Sequence, residues 1–173
     1  QQAMLGLQRR HPAVEMVGVG LDFSLGLQLE AELVGAAPAL VFYPGSSIGN
    51  FAPDAALRLL REARALCAGG ALLIGVDLVK PRAPLETAYD DPLGVTAAFN
   101  LNLLRNLNRL LGADFDVRQW QHVAFFDADR SRIEMHLQAR ERLTVRWPAA
   151  SRTFAPGERI HTENSYKYPL PVF

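Results

Sequence analysis

A polar segment with two glycines, Gly45–Asn50 (GSSIGN), combines residue types that suit ligand binding. Glycine lets the backbone bend sharply and approach a ligand closely, and the carboxamide of Asn50 can donate and accept hydrogen bonds at once. The spacing fits neither a phosphate-binding loop nor a dinucleotide-binding fingerprint. We predict a loop that contacts a small polar ligand, with an ordinary polar connection as the alternative.

The densest group of polar and aromatic residues is Thr162–Tyr168 (TENSYKY). Alternate side chains of an extended segment point the same way, so Glu163 and Ser165 are expected to share one face. A carboxylate and a hydroxyl placed side by side can exchange hydrogen bonds with a small polar ring. The alternative is a surface strand of mixed charge.

An acid and a phenol are further candidates for the site. Asp22 ends an apolar run, and ligands of open α/β sheets bind at the carboxyl ends of strands, although a capping or turn aspartate is the alternative. Tyr89 precedes Asp90 and Asp91, and either of these acids can cap the helix that follows. Capping explains the two acids but gives no reason for the tyrosine.

Two patterns resemble metal sites and are interpreted otherwise. Asp127–Ser131 (DADRS) begins like a calcium loop, but Arg132 stands where the glycine is needed and Gln138 where the bidentate glutamate is needed, so we predict a hairpin turn. Glu134 and His136 share one strand face, and two ligands do not make a metal site. We predict a solvated strand face there and no metal cofactor.

Composition limits the class of protein. The 18 Lys and Arg residues balance the 18 Asp and Glu residues, and 49% of the residues are hydrophobic, as in a globular protein. This charge balance argues against nucleic acid or membranes as partners, and no apolar run approaches the roughly 20 residues that span a bilayer. The single cysteine, Cys67, cannot form an internal disulfide, so a cytoplasmic location is expected.

The first half of the chain has the alternation of an α/β domain. Strands buried on both faces are predicted at Val14–Phe23, Ala39–Tyr43 and Ala71–Val79. Helices are predicted at Leu25–Leu33 and from Pro53 to the glycines that follow Cys67. Strands that alternate with helices through short connections indicate a parallel sheet with crossover helices.

A boundary is predicted at Lys80–Pro84, where two prolines occur within four residues. A long helix follows over Val95–Leu111, with an apolar stripe formed by Phe99, Leu103, Leu107 and Leu110. Strands are predicted at His122–Phe126, Arg132–Arg140 and Arg142–Trp147, the second with the alternation of an antiparallel strand. The long helix also carries four asparagines, which indicate a polar site or a tightly specified interface.

Seven segments together resemble one protein family, the S-adenosylmethionine-dependent L-histidine Nα-methyltransferases of ergothioneine biosynthesis. Their order and spacing extend over nearly the whole chain, and no single segment would be sufficient. The segments are Pro44–Asn50, Gly75–Lys80, Ala88–Asp91, Gly94–Asn100, Asn108–Phe115, Ile133–His136 and Ile160–Tyr168.

The resemblance implies an α/β fold with two domains. Residues 1–80 would form the later part of a class I (Rossmann-like) methyltransferase domain. Residues 81–168 would form an α+β substrate-binding domain with an antiparallel sheet, and residues 169–173 would begin the return to the first domain. On this basis we expect an internal or C-terminal segment that lacks the N-terminal cofactor motif and is inactive alone.

The resemblance also implies the cofactor contacts. S-adenosyl-L-methionine would be the methyl donor. Asp22 and Phe23 match the pair that contacts its adenine end, and Gly45 belongs to the loop that adjoins the cofactor.

The substrate contacts are implied in the same way. Asn50 matches the residue that holds the amino and carboxylate groups of histidine and aligns the amine for catalysis. Tyr89 matches a tyrosine that binds the carboxylate, while Glu163 and Ser165 match the pair that binds the imidazole ring.

The function implied is methylation of the α-amino group of L-histidine to the trimethyl betaine, hercynine, by a monomeric enzyme. One alternative is an N-methyltransferase of the same family that acts on another amino acid, such as a prenylated tryptophan. The other is an inactive, truncated binding module.

Overall fold

The computed structural model describes residues 2–29, 31–35 and 37–171. The chain divides into two compact units, one made of residues 1–44 and 52–74 and the other of residues 45–51 and 75–173. In the described part of the chain, no helix has both the length and the apolar character needed to cross a bilayer.

The first unit contains a parallel strand–helix–strand unit. β1 (Leu40–Tyr43) pairs in parallel with β2 (Ala71–Ile74), and α3 (Pro53–Cys67) connects them and packs on both. Two shorter helices precede it, α1 (Gln2–Arg10) and α2 (Ala31–Val34). The predicted parallel pair with a crossover helix is therefore confirmed.

The ends of α3 follow from its sequence. Pro53 occupies the first turn, where the missing N–H has no partner to lose. Ala68 takes a left-handed conformation after the helix, and a side chain at Gly70 would overlap the backbone of Ala39. The buried stripe is close to the predicted one, with Ala56, Leu59, Ala63 and Cys67 fully buried.

The elements predicted before β1 are wrong. Residues 14–22 form no strand, and Val17 is 62% exposed. A strand is stabilised by a hydrogen-bonded neighbour, and none pairs with these residues in the described part of the chain. The helix predicted at Leu25–Leu33 is replaced by irregular structure up to residue 29 and by α2, while residue 30 lies outside the described residues.

The sheet of the first unit is also less buried than predicted. Phe42 is 64% exposed and Leu73 is 55% exposed, so one face of β1 and β2 is uncovered in this chain. β2 ends at Ile74 instead of Val79, and beyond it Leu78 forms an isolated parallel bridge with Tyr168.

The second unit combines two helices with two antiparallel sheets. β3, β4 and β7 form a three-stranded sheet in the order β3-β4-β7, and β5 pairs with β6. This confirms the predicted antiparallel sheet, although β6 and the full extent of β7 were not predicted. The elements are α4 (Arg82–Tyr89), α5 (Val95–Leu111), β3 (Trp120–Asp127), β4 (Arg132–Ala139), β5 (Leu143–Trp147), β6 (Ala150–Phe154) and β7 (Arg159–Tyr166).

The core of this unit lies on one face of β4. Alternate residues Ile133, Met135, Leu137 and Ala139 are buried, as the period of two predicts. Leu137 and Ala139 pack in a cluster with Trp120 and with residues of α5, β5 and β6. The turn predicted after Asp127 is the hairpin between β3 and β4.

α5 packs on the core through Leu107 of its predicted apolar stripe but not through the stripe as a whole. Phe99 and Leu110 are each 70% exposed, whereas Asn100 and Leu104 are buried. The carboxamide of Asn100 donates hydrogen bonds to the backbone oxygen of His136 (3.2 Å) and to Nδ1 of His122 (3.0 Å). These bonds explain the asparagine in the helix and override the pattern of apolar residues.

Of the two acids that could cap α5, Asp90 and Asp91, it is Asp91 that does so. Its carboxylate accepts hydrogen bonds from the backbone N–H groups of Thr96 (2.8 Å) and Val95 (3.0 Å) in the first turn of α5. These bonds, the Thr96 bond first, lower the pKa of Asp91 to about 2. The cap therefore stabilises the fold above about pH 4, where the acid is ionised even when the chain is unfolded, and is lost as the pH falls towards 2.

We predict that Asp91→Ala lowers the Tm at pH 7 by about 2–4 °C, because two N–H groups of α5 lose their acceptor. Thermal unfolding followed by circular dichroism measures this, and the difference from wild type should shrink below pH 4. Asp90→Ala is the matched control and should leave the Tm nearly unchanged. An equal loss in both variants would contradict the capping role.

Candidate active site

A cavity of about 550 Å³ lies within the second unit. Its volume is in the range of small-molecule sites, which is about 300–1,000 Å³. Four parts of the chain line it: the segment after β1, the segment after β2, the end of α4, and β7 with the residue that follows it. The lining residues are Gly45, Ser46, Ser47, Asn50, Gly75, Val76, Asp77, Tyr89, Glu163, Ser165 and Lys167.

The segment after β1 is a tight turn that presents Asn50. Ser46 adopts a left-handed conformation (φ 59°), and its hydroxyl accepts a hydrogen bond from the backbone N–H of Asp77 (2.6 Å). Gly49 is buried against the backbone of Tyr166 in β7, where a side chain would lie 2.7 Å from the carbonyl oxygen. Asn50 ends the turn and is exposed at the cavity.

β7 supplies the acid and the alcohol. Glu163 pairs with Met135 and Ser165 with Ile133, so both lie on the face of the sheet that carries the buried residues of β4. The structure therefore places the two side chains on one face and in one cavity, as the spacing predicts.

The floor of the cavity contains a hydrogen-bonded group that the sequence did not reveal. The ammonium of Lys167 donates to the hydroxyls of Tyr89 (2.9 Å) and Ser165 (2.8 Å), and these hydroxyls lie 2.7 Å apart. The same ammonium lies 2.9 Å from Oδ2 of Asp77, and the Lys167 side chain is only 1% exposed. Nothing in the local sequence distinguishes this lysine from one on the surface.

The position of Tyr89 depends on the helix–sheet core. Nε2 of His122 contacts the backbone oxygen of Tyr89 at 2.8 Å, and Nδ1 of the same ring accepts from Asn100. Because Nδ1 accepts, Nε2 carries the proton and donates to Tyr89. His122 of β3, supported by Asn100 of α5, therefore fixes the backbone of Tyr89. Ser165 of β7 and Lys167 fix its hydroxyl.

The two acids of the cavity are in different electrostatic states. Burial alone would raise the pKa of Asp77, but its hydrogen bonds with Lys80 and Lys167 outweigh this effect and lower the pKa. Burial raises the pKa of Glu163, and the charge of Lys167 offsets only part of this increase. Asp77 is therefore a firmly ionised partner of the two lysines, whereas Glu163 is the acid that a ligand can engage.

Of the three residues predicted to contact the cofactor, Asp22 and Phe23 lie in the first unit and Gly45 lines the cavity of the second. Asp22 and Phe23 belong to the first unit, where the carboxylate of Asp22 accepts from the hydroxyl of Ser24 (2.6 Å). This bond, followed by one from the Ser24 backbone N–H, lowers the pKa of Asp22. Phe23 packs edge-on against Tyr43. Gly45 lines the cavity with φ +84°, a conformation that favours glycine.

The opposite face of the three-stranded sheet carries Glu134, His136 and His161, whose potential ligand atoms lie within 4.8 Å of one another. The sequence had paired only the first two, and the solvated face predicted there is wrong, because both side chains are only 12% exposed. The carboxylate of Glu134 already binds the guanidinium of Arg132 and Nε2 of His136. We interpret the group as a hydrogen-bonded network, since a cation would compete with that guanidinium.

The sequence profile of one family matches residues 1–173. That family is described as histidine-specific, S-adenosylmethionine-dependent methyltransferases. The chain belongs to this family.

Curated relatives agree with the family. The chain is 43% identical over 165 residues to a histidine N-alpha-methyltransferase of Mycobacterium tuberculosis, covering 94% of this chain and 50% of the relative. It is 42% identical over 161 residues to the protein of the same name from Mycolicibacterium smegmatis, with 91% and 49% covered. Ergothioneine biosynthesis protein 1 of Schizosaccharomyces pombe is 33% identical over 129 residues, with 73% and 17% covered. The chain spans about half the length of the two bacterial relatives.

The close contact at Gly49 leads to a prediction. Gly49→Ala should lower the free energy of unfolding by about 1–3 kcal/mol, because its methyl group would overlap the Tyr166 backbone. It should also displace Asn50 from its position at the cavity, because Asn50 moves with the turn. Urea unfolding and a crystal structure of the variant measure the two effects.

Gly20→Ala is the control, since no atom lies within 4 Å of the added methyl group. Normal stability and an unchanged position of Asn50 in Gly49→Ala would show that the turn does not depend on its contact with β7.

Proposed function

We propose that the protein transfers methyl groups from S-adenosyl-L-methionine to the α-amino group of L-histidine and yields the trimethyl betaine for ergothioneine biosynthesis. One observation carries the proposal. Asn50, which can bind an amine and a carboxylate, lines the same cavity as Glu163 and Ser165, which can bind a polar ring. Family membership supports the choice of histidine.

The ring end of the substrate is assigned to β7. In the proposed complex the carboxylate of Glu163 accepts from an imidazole N–H, and the hydroxyl of Ser165 serves the other ring nitrogen. An apolar side chain would leave these polar groups unpaired in a half-buried site, which is the physical basis for discrimination. The resemblance implies that Tyr89 binds the substrate carboxylate. Tyr89 lines the cavity and remains a substrate-binding residue in the proposal, but because its hydroxyl bonds Ser165 we assign it to the ring end.

The amino-acid end is assigned to Asn50. The amine must be neutral to attack, and an α-amino group has a pKa of about 8, so no strong base is needed near neutral pH. Asn50 can accept a hydrogen bond from the amine and donate one to the carboxylate, which orients the nitrogen lone pair. Its contribution is alignment of the nucleophile.

S-adenosyl-L-methionine, when bound, supplies a methyl group already activated on a sulfonium. The family match supports this cofactor, and Asp22, Phe23 and Gly45 are the residues proposed to hold it. Asp22 offers an exposed carboxylate acceptor and Phe23 a partly exposed aromatic ring, which suit an adenosine group. The parallel β1–α3–β2 unit supports a class I, Rossmann-like domain.

The remaining assignments are proposed on the composition. Balanced charge and a single cysteine support a cytoplasmic enzyme without nucleic-acid or membrane partners. We also propose that the protein is a monomer and uses no metal. We further propose that the chain divides at residue 80 into a methyltransferase part and a substrate-binding part.

We predict that Glu163→Ala, in the protein encoded by the complete reading frame, raises the KM for histidine by about 10- to 100-fold, as expected for one lost hydrogen bond to a charged group. The dissociation constant for S-adenosylmethionine should change by less than about twofold. Mass detection of each methylated product gives the kinetics, and calorimetry gives cofactor binding.

Glu158→Ala is the matched control, because Glu158 lies in the turn before β7 and bonds Arg152 away from the cavity. Equal losses of histidine and cofactor binding in Glu163→Ala would contradict the assignment. Faster methylation of tryptophan or a prenylated tryptophan than of histidine by the wild type would favour the alternative substrate.

Asn50→Ala should lower kcat/KM for histidine by about 100-fold or more, because the amine loses its alignment, while the Tm stays unchanged at this exposed position. The same product assay measures it. Asn106→Ala, an exposed asparagine of α5, is the control and should retain activity. Full activity in Asn50→Ala would remove Asn50 from the site.

A further inference from the structure

Lys167 uses all of its hydrogen-bond donors inside the protein. An ammonium group has three N–H donors, and three acceptors surround this one: Oδ2 of Asp77 at 2.9 Å, the Tyr89 hydroxyl at 2.9 Å and the Ser165 hydroxyl at 2.8 Å. With 1% of its side chain exposed, Lys167 has no donor left for a ligand. Its effect on a ligand therefore passes through the two hydroxyls.

The two hydroxyls then have a fixed number of protons to offer. Tyr89 and Ser165 each accept from Lys167, and at 2.7 Å apart one of them donates to the other. Two hydroxyl protons minus the one shared between them leave a single O–H that can point into the cavity. The pair therefore has one O–H and one lone pair left for a ligand, and the positive charge behind both hydroxyls favours a ligand atom that accepts a hydrogen bond over an N–H that donates one.

The charged and titratable groups that face this pair come from several elements. β7 contributes Glu163, the segment after β2 contributes Asp77, and Lys80 contacts Asp77 from the exposed side. Asp77 is shared between Lys167 and Lys80, so this group of three charges carries a net positive charge, and a ring in the cavity meets one carboxylate acceptor at Glu163 and one hydroxyl donor.

We propose that Lys167 is a positioning residue that makes the cavity select the neutral imidazole of histidine over the imidazolium. The proposal rests on the proposed function. A neutral imidazole has one N–H and one lone pair, which match one acceptor and one donor. An imidazolium has two N–H groups, has no lone pair for the hydroxyl, and is repelled by the ammonium behind that hydroxyl.

The acid opposite the ring does not reverse this preference. The charge of Lys167 offsets part of the attraction between the Glu163 carboxylate and an imidazolium, as it offsets part of the effect of burial on the pKa of Glu163. Removing the charge of Lys167 leaves Glu163 as the dominant charge beside the ring. The variant is therefore expected to tolerate the cationic ring that the wild type rejects.

The test is titration calorimetry with the protein encoded by the complete reading frame, at pH 7.5 and pH 5.5. An imidazole has a pKa of about 6.5, so the wild type should bind histidine about tenfold more weakly at pH 5.5. The second probe is 1,2,4-triazol-3-yl-alanine, whose ring stays neutral at both pH values. Its affinity should be the same at both.

Lys167→Met keeps the length of the side chain and removes the charge, so its histidine affinity should change by less than about threefold between the two pH values. If Lys167→Met alone is unstable, the double variant Asp77→Asn/Lys167→Met, which removes both charges, should show the same small dependence of histidine affinity on pH. Lys80→Met is the matched control, since that lysine also binds Asp77 but is 53% exposed, and it should keep the tenfold dependence.

A tenfold loss that persists in both Lys167 variants would overturn the role of Lys167. An equal loss for the triazole probe in the wild type would also overturn the proposal, because it would trace the pH dependence to protein groups. If the wild type binds histidine at neither pH and forms no methylated histidine, the proposed function itself fails.

Discussion

A buried ammonium group is stable only when each of its N–H donors has an acceptor, and the second unit is organised around this requirement at Lys167. Its three acceptors come from parts of the chain that are far apart in sequence: Asp77, Tyr89 and Ser165. The segment after β2, the end of α4 and the end of β7 must therefore meet at one point. The cavity is the space that remains beside that point.

The rest of the unit fixes each of these parts independently of a ligand. The antiparallel register of β4 with β7 sets the direction of Glu163 and Ser165. Asn100, which is only 3% exposed, donates a hydrogen bond to His122, and His122 in turn donates one to the backbone oxygen of Tyr89. Because these bonds connect polar groups within the fold, the site is preorganised and little ordering is left for the ligand to impose.

Local signals in the sequence predicted the elements that depend on local rules. The proline start of α3, the alternation of β4 and the spacing of Glu163 and Ser165 each follow from neighbouring residues. The strand predicted at Val14–Phe23 is wrong because pairing depends on a partner strand, and the stripe of α5 is right only at Leu107 because Asn100 forms tertiary hydrogen bonds. Lys167 was not predicted as a site residue because two of its three partners, Asp77 and Tyr89, lie 78 or more residues away in the sequence.

The proposed complex also gives a physical reason for an amide at position 50. A carboxylate beside the substrate amine would stabilise its protonated form and raise its pKa, which would oppose methyl transfer. A carboxamide can orient the amine without adding charge. In the proposed complex the negative charge is kept at Glu163, where it contacts the ring, while Asp77 is neutralised by two lysines. In that complex Lys167 opposes protonation of the ring, and Asn50 adds no charge that would raise the pKa of the amine.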